Sequence, residues 1–138
     1  MPIECQFDPV KSLLICTVTR ELTFKQVSDL QDDYFEKYMA KNVILDLSLA
    51  SLEKLNTQDI ETIAHMSEMK KNLRPANSKT AIIATSPLAH GLAMMYSIHS
   101  EFRELTWELD VFKSLEEALE WIGPGDAFPS GQVQKGVA

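Results

Sequence analysis

Three histidines, two cysteines and a scatter of hydroxyls and carboxylates are the side chains of this sequence that could do chemistry. His65 shares the polar side of a helical pattern with Glu61 and Glu68, and His90 shares one with Glu101. Both are expected in solvent. His99 is different: it sits at helical spacing among Leu88, Leu92, Met95 and Phe102, which predicts a core or pocket-wall imidazole. No HExxH or CxxC spacing is present, so no metal site is expected. Ser86 lies between a strand pattern and a helix pattern, as an elbow serine would, but Thr85 and Pro87 flank it instead of the close-packing glycines of GxSxG. Helix capping explains it. Gly91 is the sole glycine before residue 123, which leaves no glycine-rich phosphate loop. Asp46, on a strand, reads as a hydrogen-bonded structural carboxylate. No catalytic residue and no cofactor is therefore expected.

Two groups of residues suit binding better than catalysis. Ser51, Asn56, Thr57 and Asp59 surround the start of a helix, where a hydroxyl can serve as a cap or receive a phosphate. Met66, Met69, Leu73 and Met94 widen the apolar arcs of two helices, with Tyr96 and His99 deeper on the second. Thioethers adapt to irregular cores, to ligand pockets and to partner grooves alike.

The elements that position these residues follow from periodicity. Asn42–Thr57, NVILDLSLASLEKLNT, reads as a strand, a polar loop and a capped helix start. Val43, Leu45, Leu47 and Leu49 give this strand one apolar face, and Ile44, Asp46 and Ser48 give it a mixed one. Ile3–Phe7 and Leu13–Thr19 alternate around an Asp8-Pro9 turn, as in an antiparallel hairpin. Thr23 and Gln26 have capping-box spacing, and Val27, Leu30, Tyr34 and Tyr38 then repeat helically. A second helix, capped by Asn56 or Thr57, carries Ile60, Ile63, Ala64 and Ser67 on its inner arc and stops near Asn72. Thr80–Thr85 is a short apolar strand. Ser86-Pro87 then opens a third helix whose inner arc holds Leu88, Leu92, Met95, His99 and Phe102. Leu105, Trp107, Leu109 and Val111 alternate with polar residues in a last strand. Ser114 and Glu117 have capping-box spacing before a short helix ended by Gly123.

Right-handed crossovers between successive parallel strands place the connecting helices on one side. The predicted fold is α/β, a mixed five-stranded sheet with an N-terminal antiparallel hairpin, then right-handed βα units with helices mainly on one face. It occupies residues 1–122. Residues 123–138 hold four of the five glycines without periodicity and read as a flexible tail.

At 138 residues and 45% hydrophobic content the chain suits one domain with a real core. A net charge of −7 argues against nucleic acid as a partner. The local basic cluster, Lys70, Lys71, Arg74 and Lys79, reads as a solvated helix end rather than an anion site. MPIECQFDP lacks the pattern of a secretion signal, and no apolar run is long enough for a membrane span, so a cytoplasmic location is expected. There Cys5 and Cys16, facing each other across the hairpin, are expected as free thiols.

In three places the chain resembles the SpoIIAA-like proteins of the STAS type, the group named for sulphate transporters and anti-sigma factor antagonists. These are Glu21-Leu22-Thr23, Val43-Ile44-Leu45-Asp46-Leu47, and Asp110-Val111-Phe112 with Glu117-Ala118-Leu119 and Trp121-Ile122. The resemblance implies a sheet with helices on one face and a non-enzymatic domain that regulates a protein partner. Well-known members carry a phosphorylated serine in an Asp-Ser pair at the start of the second helix; here Asn56-Thr57 stands there, without that pair. More distant SpoIIAA-like proteins resemble lipid-binding CRAL-TRIO domains. The expected function is thus a protein-interaction domain working through the Ser48–Asp59 loop and the second helix, with a carrier or sensor of a small apolar, lipid-like ligand between the second and third helices as the alternative. A homodimer is compatible with either.

Overall fold

A computed structural model of the chain describes residues 3–75, 77–103 and 107–123. Five strands lie in the order β1 (Ile3–Asp8), β2 (Leu13–Val18), β3 (Asn42–Asp46), β4 (Lys79–Ile83) and β5 (Glu108–Phe112). β1 and β2 are antiparallel, and the remaining neighbours are parallel. The α/β fold with a mixed five-stranded sheet is as the sequence implies.

The connections from β2 to β5 carry α1 (Phe24–Leu30), α2 (Glu36–Tyr38), α3 (Thr57–Met69) and α4 (Pro87–Phe102). Their buried residues pack on the sheet face that carries Leu14, Cys16, Val18, Val43 and Ile82. Right-handed crossovers between strands added in one direction require that common side. α5 (Leu115–Ile122) follows β5 and, among the described residues, joins no further strand, so it is free to fold back. It covers the other face, where Ala118 and Ile122 meet Leu13, Ile44, Ala81 and Ile83.

Local chemistry fixes the helix starts. Thr23 caps α1 and Gln26 reaches back to the Thr23 N–H, completing a capping box. Asn56 and Asp59 do the same for α3, with bonds of 2.8 and 3.0 Å. Ser86 accepts from the Ala89 N–H, and Pro87 occupies the first turn of α4. At α5 Ser114 caps as expected, but Glu117 bonds the Lys113 N–H instead of the cap's own. The first helix is not uniform. After Leu30 the chain forms a π-helical turn, Gln31–Phe35, before α2. The side chain of Tyr34 lies outside those described.

Three expectations change. β3 ends at Asp46, so Leu49 is a loop residue, 68% exposed, and not part of an apolar strand face. Ile44, assigned to a mixed face, is 0% exposed because α5 lies over it. On α4 the buried side is Ala89, Leu92, Ala93 and Ser100, with Tyr96 among the residues packed there, while Leu88, Ile98 and Phe102 are exposed. That is roughly a quarter turn from the expected arc at 3.6 residues per turn. Small residues decided it: Ala89 lets the helix lie close against the core and Ala93 borders the space beneath it, and a hydrophobicity pattern underweights both. Leu105 and, beyond Gly123, the predicted tail lie outside the described residues.

Candidate functional site

Between the sheet and the helices α1, α3 and α4 lies a cavity of about 100 Å³. Its walls at the carboxyl ends of the strands are apolar: Leu22, Leu47, Leu52, Leu55 and Ile60. Leu52 and Leu55 come from the loop after β3, which is tied down by paired backbone bonds between Ser51 and the Arg20–Leu22 segment at 2.9 and 3.1 Å. Ser51 thus acts through its backbone. Ile63, Ile82, Leu92 and Ala93 continue the wall along the middle.

Polar residues line the opposite end, near the amino ends of β4 and β5. They are Gln31, Arg74, Thr80, Tyr96 and Trp107. Gln31 opens the π-helical turn, a feature that often marks functional sites. Its Nε2 donates to Ser67 Oγ at 3.0 Å, and Ser67 Oγ in turn donates to the Ile63 carbonyl at 3.0 Å. The single Ser67 proton is thereby used, so the Tyr96 hydroxyl, 2.7 Å away, donates to Ser67. Burial pushes the Tyr96 phenol up, while the Ser67 and Ser100 hydroxyls and the Arg74 charge act in the other direction. The phenol stays neutral at ordinary pH.

Arg74 is the unusual member. It follows the 3₁₀ turn Lys71–Leu73 and its side chain runs inward, leaving the residue 9% exposed. Nε donates to the Ala40 carbonyl at 3.4 Å, Nη1 to Thr80 Oγ1 at 2.5 Å, and Nη2 to the Lys41 and Lys79 carbonyls at 2.8 and 3.0 Å. Its guanidinium carbon lies 4.6 Å from the Trp107 ring centroid. Burial lowers its pKa to about 10, opposed by Tyr96, so it remains a cation at neutral pH. Among the described residues no carboxylate pairs with it. Two further buried groups here lack a hydrogen-bond partner, the Trp107 indole N–H and Gln31 Oε1.

The basic cluster therefore divides. Lys70 pairs with Asp32, and Lys79 bonds the Trp121 carbonyl at 3.1 Å and lies over the Trp121 ring. Arg74 turns into the protein. The sequence pattern placed it on a solvated helix end, and no local signal at residue 74 points inward.

Of the anticipated apolar patch, Tyr96 lines the cavity. Met66 and His99 are half-buried, Met69 and Met94 are exposed, and the Leu73 side chain lies outside those described. At the other candidate site Asn56, not Thr57, is the cap. Thr57 is an exposed first residue of α3 whose hydroxyl is not needed for capping. Asp46 accepts from the Ser48 N–H at 3.0 Å, a local turn bond. His65 is exposed with Nδ1 3.7 Å from Glu68. Among the described residues no cluster of three or more His, Cys, Asp or Glu could hold a metal, and no helix is long and apolar enough to cross a membrane.

Compared with models of known protein families and with curated proteins, the chain matches none.

Proposed function

We propose that the chain is a non-enzymatic carrier or sensor of a small apolar ligand, held between the sheet and α1, α3 and α4. One observation carries this reading: the apolar space under the helices ends in a buried polar group of residues whose hydrogen-bonding capacity is incompletely used. Native cores pair almost all such groups, and exceptions call for a reason. Small-molecule sites have this composition, mostly apolar walls with a few placed polar groups. The resemblance of more distant SpoIIAA-like proteins to lipid-binding CRAL-TRIO domains is in keeping with a carrier. Native mass spectrometry on protein purified from its own host tests it. A non-covalent adduct that disappears on denaturation is expected, and a bare chain under gentle conditions contradicts the reading.

A second reading, docking of a regulated protein through the Ser48–Asp59 loop and α3, is favoured by the exposed Thr57 at the head of α3 and by the exposed Leu49 in the same loop segment. A phosphate on Thr57 would meet the positive end of the α3 dipole but add charge beside Asp59. Thr57→Glu is expected to weaken a partner complex, and unchanged affinity in a pull-down from host extract quantified by mass spectrometry removes the switch.

A further inference from the structure

We propose that the ligand of this cavity is a monocarboxylate with an apolar body, its carboxylate seated against Arg74 and Trp107 at the polar end. The inference rests on the carrier reading and adds the chemistry of the head group.

Charge carries the argument. A guanidinium has five N–H groups, and the bonds to Ala40, Thr80, Lys41 and Lys79 use four, leaving one on Nη1. The existing acceptors are neutral carbonyls and a hydroxyl, and the Trp107 π face adds a weak attraction. None of them cancels the unit charge. A buried cation left without a counter-charge is costly, by several kcal/mol in general. Water could satisfy the remaining N–H groups, but water does not neutralise the ion. A carboxylate does both, because its two oxygens can take the spare Nη1 proton and the unpartnered Trp107 indole proton.

The same bookkeeping separates head groups. One guanidinium balances one negative charge, so a phosphate monoester dianion would leave a net charge buried in an apolar wall. Gln31 Oε1 is an acceptor and plays no part in the anion's seat. The volume of about 100 Å³ favours a short body over a long acyl chain.

The test compares sodium hexanoate with 1-hexanol, which share a chain length and differ in charge, by calorimetry and by ¹⁵N NMR of the full chain at neutral pH. Hexanoate is expected to bind at least about tenfold more tightly, the worth of one charge-assisted hydrogen bond. Of the two indole N–H resonances, Trp107 and Trp121, only that of Trp107 should move strongly downfield, and only with hexanoate. Equal affinity, or tighter binding of hexanol, overturns the carboxylate while leaving an apolar carrier. Binding of neither overturns the carrier reading and this inference with it. Arg74→Met should abolish the preference for hexanoate. Because that side chain also ties three carbonyls, the comparison of the two probes on the unaltered protein decides the matter if the variant does not fold.

Discussion

On the α5 side of the sheet, Ile44, Ala81 and Ile83 meet Ala118 and Ile122 in an apolar contact, with Phe112 and Trp121 packed around it. On the side of α1, α3 and α4, a guanidinium, an amide, a phenol and an indole are held among leucines around a space of about 100 Å³. Both faces are layers of helix on the same five strands. What differs is how the helices arrive. α5 joins no further strand among the described residues and can settle until its alanine touches the strands. The crossover helices are fixed at both ends by strands, so their spacing is set by topology, and the gap is lined by whatever those residues are. The first arrangement serves stability, and the second leaves room for a ligand.

The largest expected effect tests the stability half. Ile44→Ala should destabilise the protein by about 2–5 kcal/mol, since it opens a void in a filled contact. Ile63→Ala, on the cavity wall, should fall at the lower end of that range because its side chain already borders free space and loses fewer contacts. Urea denaturation of both variants checks the order, and a larger loss at Ile63 would break the contrast between the faces.

Adding volume gives a smaller and opposite comparison. Ala118→Leu should cost about 1–3 kcal/mol by overpacking the α5 contact. Ala93→Leu points into the cavity and should change stability by less than about 1 kcal/mol, while lowering uptake of apolar probes. Thermal melts with and without ligand read both effects. Equal penalties at the two alanines would mean that the space is not accessible to a side chain.

The smallest effect lies at the hairpin. Cys5 and Cys16 are both free, with their sulfurs sharing a hydrogen bond at 2.8 Å. That bond lowers the Cys5 thiol, outweighing its burial, whereas the same bond and burial push Cys16 well up. Since the thiolate is the reactive form, iodoacetamide should modify Cys5 first and leave Cys16 protected in the native protein. Peptide mapping after brief alkylation shows which sulfur reacts, and Cys5→Ser should cost no more than about 0.5–1.5 kcal/mol, the net worth of one hydrogen bond.

Much of the fold was legible because its signals are local. Thr23 with Gln26, and Ser86 with Pro87, each declare a helix start within a few residues. The buried side of α3, Ile60, Ile63, Ala64 and Ser67, follows from periodicity alone. Element order then limits the sheet, since parallel strands joined by right-handed crossovers leave few topologies. The face of α4 was not legible. Its large apolar residues, Leu88, Ile98 and Phe102, outvote Ala89 and Ala93 in any pattern, yet the small ones face inward, Ala89 into the packed core and Ala93 onto the cavity.

The sequence by itself determined the elements, their order and the side to which the crossovers fold, because caps and alternation act between neighbours in the chain. Only the tertiary structure decided that Arg74 turns inward. Its partners, the carbonyls of Ala40 and Lys41 before β3 and of Lys79 in β4, together with Thr80 and Trp107, come from separate segments. They meet because parallel strands bring their amino ends together, and nothing local to residue 74 encodes that meeting.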